Sequence, residues 1–224
     1  MANAIVYQQT QLFKKDSLSH EVYNEILNRL MDNRLVPGTM LNRRDVAKEL
    51  GVSVAPVLEA MLRLEIEGFL ESVPRKGSFV KPVKREDVYG QFMVREALEC
   101  QAARLYCGKP VQKNMNTLMK AAETLDNRIN TRSSKGWEKE IHFHLSLIEL
   151  ADCPLLSQAF IKTVQLGLFY QLCRIIDEQP HPADKHVSLI QKLGESSPNE
   201  SEKHIRHHLR SGKETILNIP LNNS

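Results

Sequence analysis

Eight histidines punctuate the chain, at His20, His142, His144, His181, His186, His204, His207 and His208, and seven of them lie beyond residue 140. Imidazole and carboxylate groups bind divalent metals and move protons in acid–base chemistry. Glu140 and His144 stand four residues apart in a helical pattern, so both side chains leave one face toward a common point. His204 and His208 share that spacing, so His204 either mimics a ligand or supports His208 from the same helix face in any site built on His208. His142 and His207 lie about 200° and about 100° around their helices from His144 and His208. His20 and His181 are read as surface or capping groups. A lone buried histidine is more often a satisfied core residue than a ligand. The four cysteines, Cys100, Cys107, Cys153 and Cys173, form no C-x-x-C pair. That usage predicts buried free thiols in a reducing compartment, and hence a cytoplasmic protein.

The other candidate groups are cations. Residues 1–85 hold 13 Lys/Arg against 10 Asp/Glu, and residues 86–224 hold 17 against 17, so the whole net charge of +3 sits in the first part. Arg43, Arg44, Arg75, Lys76, Lys81, Lys84 and Arg85 crowd its end. A polyanion would be drawn there, although a solvated surface also accounts for so small an excess.

The elements that must position these groups follow from patterning. At 224 residues, with 42% apolar and 25% charged residues, the chain has the balance of a folded globular protein and not of a disordered one. No apolar run approaches the roughly 18 residues of a membrane-spanning helix, and the amino terminus has no apolar h-region of a secretory signal. A helix is predicted over 18–33, because Val22, Ile26, Leu27, Leu30 and Met31 share a face. Val36-Pro37-Gly38-Thr39 reads as a type II turn. Asn42 should cap a short helix ended by Gly51, and Ser53 should cap another over 54–68, with Pro56 in its first turn. Two helices separated by G-V-S form a helix-turn-helix. Two strands, 69–73 and 78–80, should flank the basic turn Pro74-Arg75-Lys76-Gly77 as a wing. Beyond K-P-V-K-R-E (81–86) the pattern predicts helices at about 87–107, 111–131, 135–151, 154–178, 183–194 and 198–213, the last opened by Ser197-Pro198-Asn199-Glu200. The pairs Val94/Leu98, Leu145/Ile148 and Leu168/Leu172 should be core.

The stretch V-P-G-T-M-L-N-R-R-D-V-A-K-E-L-G-V-S-V-A-P-V-L-E-A-M-L-R-L-E-I-E-G-F-L-E-S-V-P-R-K-G-S-F-V (36–80) resembles the winged helix-turn-helix of GntR-family bacterial transcription regulators. V-R-E-A-L-E (94–99), E-I-H-F-H (140–144), D-C-P-L-L (152–156), K-H-V-S-L-I (185–190) and H-H-L (207–209) resemble the FCD effector domain of the FadR subfamily. The resemblance implies a mainly α protein: a winged helix-turn-helix of three helices and a small β-hairpin wing (18–81), then an all-α antiparallel bundle of six to seven helices (87–214). An arm (1–17), a linker (82–86) and a tail (215–224) complete the division. It also implies a homodimer that binds a pseudo-palindromic operator in double-stranded DNA and changes grip when a small organic acid enters the helical domain.

In a helix-turn-helix the start of the second helix faces base edges while flanking cations hold phosphates. The DNA-contacting set is therefore Arg43, Arg44, Ser53, Val54, Ala55, Pro56, Leu58, Arg63, Arg75, Lys76 and Gly77. Arg44 matches the family's arginine on the preceding helix, and Arg75, Lys76 and Gly77 match its wing tip. The family usually has arginines where this chain has Val54 and Leu58, which can touch thymine methyls but cannot donate to guanine. For Arg43, Arg44 and Arg63 the alternative is plain solvated helix charge.

Family resemblance also assigns a divalent metal to Glu140, His144, His186 and His208. Zn²⁺ suits that donor set best, and Ni²⁺ or Mn²⁺ would also accept it. Glu140 replaces the family's Asp, adding one methylene. Arg95, in V-R-E-A-L-E, matches the arginine that faces the effector carboxylate; a pair with Glu99 one turn on is the competing assignment. Cys153 stands where the family usually has Asn. Two other classes remain: a metal-dependent hydrolase, for which Glu149 and Asp152 are the nearest general bases, and a DNA-binding protein with no effector. A regulator without enzymatic activity is the expected class, because an enzyme leaves the winged helix unexplained.

Overall fold

A computed structural model describes residues 17–127, 134–172 and 185–211. The arm before Ser17, the C-terminal tail, His181 and Cys173 lie outside them. Helix α1 (Leu18–Met31) forms on the anticipated face, burying Val22, Ile26, Leu27, Leu30 and Met31. At Val36–Thr39 the Thr39 N–H donates to the Val36 carbonyl and Gly38 takes φ 84°, as a type II turn requires. Strand β1 (Met40–Leu41) follows, too short to leave a period in the sequence. The Asn42 side chain accepts the Arg44 N–H at the start of α2 (Arg43–Leu50), and Gly51 ends that helix left-handed at φ 66°.

Ser53 occupies the N-cap of α3 (Val54–Ile66) in extended backbone, yet its hydroxyl makes no cap hydrogen bond. The reason is local. The N3 residue whose N–H a capping serine normally binds is Pro56, which has none. Strands β2 (Leu70–Val73) and β3 (Gly77–Val80) pair antiparallel from Val73↔Gly77 to Leu70↔Val80, and β1 adds to the other edge of β3. The wing is thus a three-stranded sheet, β1-β3-β2, and not a bare hairpin. The Lys76 N–H donates to the Val73 carbonyl across its tip, where Arg75 adopts φ 64°.

The remaining described elements are helices: α4 (Arg85–Tyr106), α5 (Lys109–Lys113), α6 (Met115–Asp126), α7 (Ser134–Glu149), α8 (Pro154–Leu172), α9 (His186–Glu195) and α10 (Pro198–Arg210). Where periodicity predicts one helix from 111, the chain breaks at Asn114, which both closes α5 and opens α6. Its side-chain amide donates to the Pro110 carbonyl at 2.9 Å, the local backbone bond that makes asparagine a helix interrupter. At the start of α10, Glu200 accepts from the Ser197 N–H at 2.9 Å and its hydroxyl at 2.6 Å.

Helix α4 turns Phe92, Glu96, Glu99, Ala103 and Tyr106 inward. Val94 consequently faces out, 51% exposed, against its expected core role; Leu145 and Ile148 are buried as anticipated. Buried Glu96 ties α4 to α10, accepting from Arg206 at 2.5 Å and from Arg210 Nε and Nη2 at 2.6 and 2.9 Å. Cys100 is buried, Cys107 and Cys153 are half-buried, and all three are free thiols.

Among the described residues the chain forms two compact units, 17–84 with 165–172, and 85–164 with 185–211. In the first, Phe169 of α8 packs edge-on against Phe69, ring centroids 5.6 Å apart. No described helix is long and apolar enough to cross a membrane.

The first unit rests on α1 packed against α3. Leu27→Ala, at a fully buried site, is expected to cost about 2–5 kcal/mol in denaturant unfolding. Val54→Ala, on an exposed site of α3, should stay within about 0.5 kcal/mol. Equal losses would contradict the assignment of faces.

Candidate metal centre

Five helices of the second unit meet around a cluster of imidazoles. Helix α7 carries Glu140 and His144 one turn apart, α9 opens with His186, and α10 carries His208 in its last turn. One ligand atom from each of the four lies within 4.8 Å of the others. Ring centroids are 4.8 Å apart for His186 and His208, 5.4 Å for His144 and His208, and 6.1 Å for His144 and His186. Glu140 Oε1 stands 3.3 Å from His144 Nε2 and 3.2 Å from His186 Nε2. Its extra methylene therefore does not keep it from the cluster.

Two further carboxylates hold the rings from behind. His144 Nδ1 is 2.5 Å from Glu99 Oε2 of α4, and His186 Nδ1 is 2.8 Å from Asp126 Oδ1 at the end of α6. Asp126 also accepts the backbone N–H groups of His186 and Val187, each at 3.0 Å, and so caps α9 while orienting its first side chain. With each Nδ1 held by a carboxylate behind it, Nε2 of each ring is turned toward Glu140, where its lone pair would become available to an ion. This carboxylate–imidazole relay is how proteins orient metal-binding histidines. His208 Nδ1 is buried with no hydrogen-bond partner, an orphan of the kind a bound ion explains. The residues present thus fit a divalent cation.

Electrostatics agree with the geometry. Burial opposes the charged form of His144, but the Glu99 charge and bonds to Glu140 and Glu99 prevail and raise its pKa to about 9. Burial, then the charges of His144 and His186, push His208 down to about 3. Burial likewise works against ionised Glu99, yet His144 and Arg95 hold its carboxyl at about 2. Burial opposes ionised Glu140 too, and its bonds to His144 and His186 overcome it, keeping the carboxyl well below its ordinary range.

Arg95 donates from Nε to Glu99 Oε1 at 2.6 Å, so the helical pair anticipated as the alternative is formed. Glu99 therefore bridges Arg95 to His144. Patterning missed the orienting role of Glu99, whose spacing from Arg95 was its only signal. Asp126 gives no signal at all, standing 60 residues before its partner. His142 lies outside the cluster, in a groove of about 600 Å³ between α6 and α7 that Glu149 also lines. His204 and His207 are likewise not in the cluster. His20, expected at the surface or as a cap, is 7% exposed with both ring nitrogens unpartnered. It sits on the inner face of α1, one turn from Tyr23, and stacks on that ring. Burial, reinforced by the Arg63 charge, lowers its pKa.

In the first unit Arg43, Arg44, Ser53, Val54, Ala55, Arg75, Lys76 and Gly77 are exposed, and Pro56 and Leu58 are half-buried. Arg63 is bound internally. Its guanidinium lies 3.8 Å from the Tyr23 ring centroid and donates to Glu67 at 3.1 Å, while the Tyr23 hydroxyl donates to Glu67 at 2.5 Å.

The family model described as bacterial regulatory proteins, gntR family, matches residues 18–80, and the FCD domain model matches residues 91–211. The HTH-type transcriptional repressor RspR of Escherichia coli (strain K12) is 22% identical over 219 residues, covering 96% of both chains. The Nta operon transcriptional regulator of Aminobacter aminovorans is 25% identical over 186 residues, 82% of this chain and 87% of that one. Among solved structures, a GntR transcriptional regulator from Rhodococcus sp. RHA1 superposes with a TM-score of 0.68 at 18% identity, covering 92% of this chain and all of the other. E. coli McbR/YncC gives a TM-score of 0.59 at 21% identity, with 90% of this chain and 98% of that one covered.

In the metal-free protein His144 is protonated in the fold below about 9, against 6.5 when unfolded. Its stabilisation is complete below pH 6.5 and is lost as pH rises through about 9. His208 acts at the other end: it is neutral in the fold, so its effect is full above 6.5 and fades as pH falls toward about 3. Adding Zn²⁺ at pH about 7.5 should displace the His144 proton and release about one proton per ion, read from the buffer dependence of the binding enthalpy. Binding without proton release would contradict this geometry.

Proposed function

We propose that this chain, a member of the GntR family of bacterial regulatory proteins with an FCD domain, is a cytoplasmic homodimeric regulator whose grip on a pseudo-palindromic operator responds to a small organic acid. The chain is a DNA-binding transcriptional regulator of the GntR/FCD type. The finer reading rests chiefly on one observation: Glu140, His144, His186 and His208 converge within 4.8 Å, with carboxylates locking two of the rings.

Those four side chains would hold the ion, and Zn²⁺ suits three imidazoles and a carboxylate best. The ion would supply a Lewis-acidic point for an effector carboxylate. Arg95, joined to the cluster through Glu99, supplies the cation beside it. Effector binding would then bias the equilibrium between states that present the DNA-binding units differently. In those units Arg43, Arg44, Arg75 and Lys76 hold phosphates and the start of α3 meets the bases. Arg63 contributes by fixing α3 to α1 through Tyr23 and Glu67.

The hydrolase reading loses support from the placement of its bases. Glu149 and Asp152 are both exposed, and Glu149 lines the α6–α7 groove.

Arg44→Ala combined with Lys76→Ala should weaken binding to every duplex and flatten the dependence of log K on log salt by about two. Unchanged binding in that variant would remove the DNA surface assigned here. For the sensor, a panel of small mono- and dicarboxylic acids is titrated into the zinc-loaded chain on DNA. At least one acid should shift the affinity, and none should do so after His144→Ala with His186→Ala. Indifference to all of them would leave a DNA-binding protein without an effector.

A further inference from the structure

Helix α3 is apolar on two sides. One face buries Val57, Ala60, Met61 and Leu64 against the core of its unit. Across the helix, Val54, Leu58, Leu62, Ala55 and Ile66 occupy an arc of about 120° at 100° per residue. Val54 is 43% exposed, Leu62 48% and Ile66 87%. From Ser53 to Glu59 the only polar side chains are those two residues themselves, and neither is cationic. Elsewhere in the unit, α2 exposes Arg43 and Arg44, and the wing tip exposes Arg75 and Lys76. These cations thus lie on the helix before α3 and on the wing after it, and the exposed arc of α3 has no cation of its own.

We infer that Val54 and Ala55 read the 5-methyl groups of thymines in the major groove, with the Ser53 hydroxyl and the Glu59 carboxylate as the hydrogen-bonding readers beside them. This rests on the DNA-binding reading above and assigns its specificity. In the major groove thymine presents a C5-methyl, cytosine an N4 donor that a carboxylate accepts, and guanine the O6 and N7 acceptors that call for arginine or lysine. The exposed side chains here complement the first two and offer no fork for the third. Ser53 belongs in this set because Pro56 deprives its hydroxyl of the usual capping partner. The arginines and lysines exposed on the flanking helix and wing commit its occupant to DNA by charge, since a protein partner would not demand them.

The test uses the full chain. Duplexes enriched by it from a random library are remade with dU for dT, one position at a time, and affinities are compared at one salt concentration. Loss of a contacted methyl should weaken binding about fourfold at one or two positions per half-site. Val54→Ala should weaken the thymine duplex and abolish the penalty for uracil at its position. Circular dichroism checks that this exposed substitution leaves the fold intact. Uracil that is neutral everywhere, failure to enrich any sequence, or dominant sensitivity to 7-deazaguanine would each overturn the inference. So would a Val54→Ala variant that changes sedimentation and not DNA affinity, which would make the stripe a contact between copies. Failure to bind any duplex at low salt would overturn the DNA-binding reading itself, whereas binding that ignores uracil sinks only this inference.

Discussion

Three imidazoles and a carboxylate gathered within 4.8 Å inside a helical bundle place a severe demand on the surrounding chain. Buried ring nitrogens need partners, and charged ones need counter-charges, or the fold loses stability. The protein meets this by distributing the work over five helices: Glu99 from α4, Asp126 from α6, Glu140 and His144 from α7, His186 from α9 and His208 from α10. Bonds at the cluster tie α7 to α4 through Glu99, α7 to α9 through Glu140 and α9 to α6 through Asp126, while α10 joins through ring contacts of His208 with His144 and His186. Asp126 shows the economy of the arrangement, since the carboxylate that turns the His186 ring also caps the helix that carries it. The bundle is thereby built around its polar centre as well as its apolar core.

In the first unit the equivalent division concerns arginine. Arg63 lies on α3, but its guanidinium is committed to Tyr23 and Glu67, where it fastens α3 to α1. Exposed cations are found instead on α2, as Arg43 and Arg44, and at the wing tip, as Arg75 and Lys76. Arg75 stands at the third position of its turn with φ 64°, a conformation that favours glycine. Holding an arginine there costs about 1–3 kcal/mol, the kind of strain that collects where a side chain must be presented. The wing thus places its charge at its outermost point at some expense to its own stability.

Much of this was legible in the amino-acid order. The type II turn at Val36–Thr39, the left-handed Gly51 and the cap at Ser197 are local, because neighbouring residues decide them. The convergence of Glu140, His144, His186 and His208 was legible too, once Glu140 and His144 were seen one turn apart in a chain resembling a known family. What stayed hidden is either non-local or a matter of rotation. Nothing near Asp126 announces His186 as its partner. Val94 and His20 were misplaced because an apolar or titratable residue on a helix can fall on either side until its neighbours are fixed. Ser53 shows a different limit, where a correct cap position was emptied of its bond by a proline three residues on.

The chain of contacts Arg95–Glu99–His144 also bears on how ligand and metal would speak to each other. Glu99 is 2% exposed and answers two cationic groups at once, one on its own helix and one on α7. An effector carboxylate that approached Arg95 would compete with Glu99 for the guanidinium. Loosening that bond would leave Glu99 more strongly drawn to the Nδ1–H of His144, which makes the imidazole a better donor to an ion through Nε2. Conversely, an ion held at Nε2 would acidify that Nδ1–H and tighten its bond to Glu99, and Arg95 would then be less completely neutralised and more attractive to an anion. The two ligands would therefore favour one another through a single buried carboxylate, the reciprocity that linkage demands of any coupled pair.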